Sequence, residues 1–137
     1  MNDDPVFIDT GAPIALCHRR NQLHDRAREV LRQLAAARTS FVTSQWVLTE
    51  FLGSAATGEL RRAAIADTRR LLVSDRTEIV GASETGWRAA FELYESRLDK
   101  DWSLVDCSSI LICQAREIRR VFTHDHHFEQ AGFQRLL

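Results

Sequence analysis

Two hydrophobic periods alternate along this chain. Short apolar runs of β-branched and aromatic residues stand at Val6-Phe7-Ile8, Phe41-Val42-Thr43, Ile79-Val80 and Val121-Phe122-Thr123. Each is bounded by turn-forming or polar residues, which predicts short buried strands at 6–8, 41–43, 78–80 and 121–123, with a further edge strand at 134–137. Between these runs the apolar spacing changes to three and four. Ala27, Val30, Leu31 and Leu34 predict a helix over 25–38, and Leu60, Ala64, Leu71 and Leu72 another over 59–73. Pro13 suits the first turn of a short helix over 12–20. Ser44 reads as the cap of a helix carrying Trp46, Val47, Glu50, Phe51 and Ser54, with Gly58 as its end. Ser83 or Thr85 caps a helix running to about residue 98, with Trp87, Ala90, Phe91 and Tyr94 as its buried stripe. A strongly apolar helix spans 105–116, and 126–131 form a helical turn.

Strands that alternate with helices argue for a parallel sheet with helices packed on both faces. The fold class is therefore α/β: a three-layer α/β/α sandwich around a central parallel sheet of four or five strands. Right-handed crossovers bring all the strand C-termini to one edge, where open α/β sheets place their ligands. The 137 residues suit one domain over 1–137, without internal repeats or linkers.

Composition narrows this without redirecting it. The formal net charge of −1 excludes a strong global field for nucleic acid. All basic residues except Lys100 are arginines, which suit bidentate phosphate contacts and also follow from a GC-rich genome. Cys17, Cys107 and Cys113 are odd in number and contain no CxxC pair, as expected of a reducing compartment. The start, with Asp3 and Asp4, lacks the basic and apolar regions of a signal peptide, and no run approaches the ~20 apolar residues of a membrane span. A cytoplasmic protein is expected.

The candidate chemistry is carried by acids. Asp9 follows the first strand, Asp125 follows the fourth, Asp106 begins an apolar helix, and Glu50 shares a helix face with Trp46, Val47 and Ser54. Taken singly, each aspartate also reads as a helix cap worth ~1 kcal/mol, and Glu50 as an acid paired with arginine or set at the solvent edge of its helix. Taken together, four acids at strand ends and helix starts of one sheet suggest a metal centre. Clustered carboxylates repel unless a cation neutralises them, and hard oxygen ligands suit Mg²⁺ or Mn²⁺. Such an ion supports phosphoryl transfer. No GxxxxGK[ST], GxGxxG or GxSxG motif offers a competing apparatus.

FIDTGAP around Asp9, VLTEF around Glu50, SLVDCSS around Asp106 and FTHDHHFEQAGF around Asp125 resemble, in the same order, the four acidic motifs of PIN-domain ribonucleases. They look most like the VapC-type toxins of bacterial toxin–antitoxin pairs. The likeness runs from Val6 to Phe133. It implies a PIN-like fold and a metal-dependent endoribonuclease that hydrolyses RNA phosphodiesters. In that reading Asp9, Glu50, Asp106 and Asp125 hold Mg²⁺ or Mn²⁺, and Thr123 is an accessory hydroxyl. The likeness further implies a homodimer and a small antitoxin protein that covers the site. Gly11 departs from the pattern, since such proteins more often carry serine or asparagine there. Asp101 is a second candidate for the third acid; Asp106 is preferred because its helix must pack on the sheet.

Other residues carry weaker signals. His124, His126 and His127 crowd around Asp125, but without paired cysteines a structural four-ligand zinc site is disfavoured. His127 also fits the terminal motif. Arg61, Arg62, Arg69 and Arg70 line either an RNA path or a solvated helix face. Trp46, Trp87 and Trp102 read first as core or interface residues, and Trp102, in a polar loop, is the one to test as a base-stacking platform. Two rivals remain at this point. One is a phosphatase or phosphoacceptor using Asp9 as nucleophile, disfavoured by Gly11 where a second acid is needed and by the position of Lys100. The other is a non-catalytic RNA-binding or protein-interaction module on the same fold.

Overall fold

The computed structural model describes residues 4–137, so Asp3 lies outside the described residues. The chain runs β1 (Val6–Ile8), α1 (Gly11–Cys17), α2 (His24–Ala36), β2 (Phe41–Ser44), α3 (Gln45–Ser54), α4 (Gly58–Val73), β3 (Thr77–Val80), α5 (Glu84–Ser96), α6 (Leu104–Ala115), β4 (Arg120–Phe122), α7 (His127–Gln130) and β5 (Gln134–Arg135). All strand pairings among the described residues are parallel, in the order β3-β2-β1-β4-β5. The expected α/β sandwich with its parallel sheet is therefore the observed one.

The apolar character of β1 follows from its position. Val6, Phe7 and Ile8 lie in the middle of the sheet, and helices cover both faces, so no face is left for polar residues. Alternation along the strands sorts the core in two. Val6, Ile8 and Phe122 pack with Ala12, Ala15, Ala27 and Leu34 from α1 and α2. Phe7, Val42 and Val121 pack with Val47, Ala90, Cys107, Ile110, Cys113 and Phe128 on the other face. Phe51, Ala55 and Ala64 form a smaller cluster that ties α3 to α4. The three cysteines form no disulfide. Among the described residues no helix is long and apolar enough to cross a membrane.

Sequence and structure differ at three places that matter. Gly58 does not end a helix. It opens α4 at φ +64°, while α3 already ends at Ser54. The stripe on α5 is not buried: Ala90 faces the core, but Trp87, Phe91 and Tyr94 are 39, 41 and 49% exposed. Helical periodicity identified the stripe correctly, but among the described residues α5 packs chiefly on α6, on the Ala90 side. Trp102 is no stacking platform either. It is buried in the core, its indole N–H donates to Gln130 Oε1 at 3.1 Å, and the Arg97 guanidinium lies over its ring.

Candidate metal centre

Because β1 and β4 are parallel neighbours in register, with Ile8 beside Phe122, the residues that follow them emerge side by side. The Asp9 N–H donates to the Phe122 carbonyl at 3.3 Å, extending the ladder by one step beyond the strand. The next residue of the fourth strand's exit, Thr123, is fully buried. Its hydroxyl donates to Asp9 Oδ2 at 2.7 Å and accepts from the Asp125 N–H at 3.0 Å. One hydroxyl thus couples the two acids and fixes the turn that carries Asp125.

Asp106 reaches the same edge from α6. Ser103 caps that helix by accepting from the Asp106 N–H, and Asp106 Oδ2 accepts in return from the Ser103 N–H, each at 3.0 Å. This reciprocal box settles the cap question for Asp106: Ser103 is the cap, and Asp106 closes the box from the third helical position. The Ser103-x-x-Asp106 spacing carries that signal in the sequence. Asp9 does not hold the cap position of α1, which is Thr10, itself without a side-chain cap bond. Asp125 does some local work, accepting from the His127 N–H through Oδ1 at 2.9 Å.

His127 is the residue whose role the sequence left unassigned. Its Nδ1 lies 2.9 Å from Asp106 Oδ2 and 3.1 Å from Asp125 Oδ1. An Nδ1–H there donates toward both carboxylates, which can only accept when ionised. The chain Asp9–Thr123–Asp125–His127–Asp106 is therefore continuous through hydrogen bonds. No pattern of residue types announces a bridge between positions 106 and 127, because it depends on how α6 and α7 pack.

Glu50 is placed otherwise than its apolar neighbours suggest. It is exposed, not set on a core-facing stripe, although Val47 and Phe51 beside it are buried. Its charge nevertheless reaches the centre. The Asp9 carboxyl is raised from 3.8 to about 7, above all by burial; the Thr123 hydroxyl and the Thr10 backbone N–H oppose the rise, and the charges of Asp106 and Glu50 add to it. Asp101, the alternative third acid, is exposed in its loop.

The donor set suits a hard divalent cation. It consists of carboxylate oxygens, among them those of Asp9, only 5% exposed and raised by burial and by the charges of Asp106 and Glu50, with the Thr10 hydroxyl buried next to it and without a partner. A Cβ added at Gly11 would meet only Thr123 Oγ1, at 3.9 Å, so the departure from the motif leaves open room beside this hydroxyl. Cys113 lies behind the centre, where burial and the nearby Asp9 push its thiol up to about 12 and leave it inert.

A model of the PIN domain matches residues 6–134. The chain belongs to the PIN-domain family. Among solved structures it is similar to Mycobacterium tuberculosis VapC20, described as a sarcin-ricin loop cleaving toxin, with a TM-score of 0.80 at 23% sequence identity over 93% of this chain and 95% of that one. At that identity the likeness carries the fold. None of the curated proteins matches the sequence. The structure brings Asp9, Asp106 and Asp125 into one hydrogen-bonded edge, and the charge of exposed Glu50 reaches Asp9.

The raised Asp9 value has a measurable consequence. Below about pH 4 the group is protonated in both folded and unfolded chains; as pH rises toward 7 the unfolded chain releases the proton first. The stability present at low pH is thus lost as pH rises through about 7. Without metal, the melting temperature of the parent should fall across this window relative to that of Asp9→Asn. Parallel pH profiles for the two proteins would show that Asp9 is not the source.

Proposed function

We propose that this protein is a Mg²⁺- or Mn²⁺-dependent endoribonuclease, that Asp9, Glu50, Asp106 and Asp125 hold the ion, and that the chain acts as the toxin of a toxin–antitoxin pair in the cytoplasm. The observation that carries the proposal is the Asp9 carboxyl. It is buried at the C-terminal edge of the sheet, pushed up to about 7 by that burial and by the charges of Asp106 and Glu50, and tied through Thr123 to Asp125. A fold that buries an acid among acids at its ligand-binding edge favours a cation there over a structural role. Membership in the PIN-domain family and the likeness to VapC20, described as a toxin that cleaves the sarcin-ricin loop, support the same reading.

The protein's own residues have definable tasks in this reaction. Asp9 is held through Oδ2 by Thr123 and by the Thr10 backbone N–H, so its orientation is set before substrate arrives. Asp106 is held by the Ser103 N–H and by His127, and Asp125 by two donors of His127. Such preorganisation lets the carboxylates meet a cation without first being ordered. A bound divalent ion supplies positive charge to the phosphodiester and acidity to an attacking water. Exposed Glu50 lies on the solvent side, where substrate enters.

Two surfaces support the partner assignments. Trp87, Phe91, Tyr94 and Leu98 recur at helical spacing along α5 and just past its end, all exposed, with Trp87 and Phe91 stacked at 5.5 Å. A second copy of the chain would cover this face. A groove of about 1110 Å³ holds none of the four acids. It runs over the opposite sheet face between α2 and α4, with Phe41, Phe122, Leu31 and Leu71 among its lining. Arg19, Arg28, Arg38, Arg70 and Arg76 also line it, against Asp67 as its acidic residue. An apolar floor with a cationic rim suits an acidic amphipathic segment, as expected of an antitoxin tail.

Asp9→Asn should abolish metal-dependent cleavage of RNA and shrink the rise in melting temperature that millimolar Mn²⁺ gives the parent. RNA cleavage by the purified variant at the parent's rate would refute the assignment. Phe91→Glu should convert a dimer to a monomer in sedimentation; a parent that already sediments as a monomer would remove the dimer from the proposal. Leu31→Glu, in the groove, should stop copurification with the product of the neighbouring short reading frame, and undiminished copurification would place that partner elsewhere.

A further inference from the structure

Among the described residues, two side-chain bonds join α7 to the entry of α6, and one of them involves no acid. His127 Nδ1 lies 2.9 Å from Asp106 Oδ2. Three residues further along α7, Gln130 Oε1 accepts from the Trp102 indole N–H at 3.1 Å. Residues three apart share a helix face, so His127 and Gln130 both face the chain that leads into α6, where Trp102 directly precedes the Ser103 cap.

Trp102 is the fixed side of the second bond. It is buried, the Arg97 guanidinium lies 4.9 Å over its ring, and Asp99 holds that guanidinium with two bonds of 2.9 and 3.0 Å. The four-residue α7 is the less constrained side. Phe128 is its one side chain wholly in the core. A one-turn helix with one core anchor can roll about that anchor; bonds at both His127 and Gln130 remove this freedom. A roll of α7 would carry with it the His127 backbone N–H, which holds Asp125 Oδ1 at 2.9 Å.

The two bonds respond differently to a cation. The His127 bond uses carboxylate oxygens, the atoms that a hard ion takes as ligands. The Gln130 bond is neutral on both sides and uses none of them, so it persists when the centre is filled.

We propose that Gln130 is a positioning residue for the acidic centre. Through Trp102 it sets the roll of α7 on α6, and with it the placement of Asp125 and His127 against Asp106, before and after an ion binds. The consequence for ion binding rests on the proposed metal centre; the hold on α7 does not.

Gln130 is exposed, so its variants test this bond without disturbing the core. Gln130→Met keeps the length and helix propensity of the side chain but offers only a weak acceptor, whereas Gln130→Glu restores a strong one. Without metal, hydrogen exchange at the His127 backbone N–H should be about three- to tenfold faster in Gln130→Met, the range of one neutral hydrogen bond. It should return to the parent's rate in Gln130→Glu. The amide of Ala27, buried on the other sheet face, should exchange at the parent's rate in both. Mn²⁺ affinity, read from the paramagnetic relaxation of water protons, should fall by a similar factor in Gln130→Met and in Trp102→Phe, and no further in the double variant. Equal exchange at His127 in the parent and Gln130→Met, acceleration that extends equally to Ala27, or no recovery in Gln130→Glu would overturn the hold on α7. Faster exchange with unchanged Mn²⁺ affinity would overturn the role at the centre. A parent that binds no Mn²⁺ yet shows the exchange coupling would refute the metal centre and leave the hold of Gln130 on α7 standing.

Discussion

The centre depends on a single buried hydroxyl. Thr123 donates to Asp9 and accepts from the Asp125 backbone, and it does so because β1 and β4 are parallel neighbours whose ends emerge together. Without that bond the Asp9 carboxyl would lose the first of the two donors that offset its desolvation. The surrounding sequence serves this one requirement. The apolar strands bring the acids to a common edge, the Ser103 box fixes Asp106, and His127 joins Asp106 to Asp125. Removing one member disturbs the others, because Asp9, Asp106 and Asp125 each take a hydrogen bond from Thr123 or His127.

The same arrangement explains why the site is electrostatically tense without a cation. Burial favours the protonated carboxyl of Asp9, and the charges of Asp106 and Glu50 act in the same direction. The opposing hydrogen bonds do not restore an ordinary carboxylate. A site of this kind gains most from a cation that relieves desolvation and repulsion together. Glu50, exposed on the open side, can leave or approach at little cost, whereas Asp9 cannot.

Three chemically distinct surfaces are spread over the edge and the two sides of the sheet. The acidic edge lies at the strand C-termini. The arginine-rimmed groove lies across one face between α2 and α4, and the aromatic stripe of α5 lies on the other layer. Three surfaces with three chemistries fit on a chain of 137 residues because the parallel sheet needs only short strands and leaves the helices' outer faces free.

The layered fold and the acids were legible in the sequence. Three-residue apolar runs alternating with helical periodicity demand a covered parallel sheet, and an acid directly after such a run must sit at the sheet edge. Gly58 misled because glycine can open a helix as readily as close one when its φ is positive. Only the tertiary structure decided which apolar faces are covered and which polar groups meet. Periodicity cannot distinguish an interior stripe from an exposed one, so Trp87, Phe91 and Tyr94 looked buried, while Trp102, in a polar loop, looked exposed and is buried. The bridge from Asp106 through His127 to Asp125 joins positions 21 and 2 residues apart, and the longer step exists only once α6 and α7 are packed. Residue type and spacing determine local backbone and burial pattern. Contacts between distant residues are a property of how the finished layers meet.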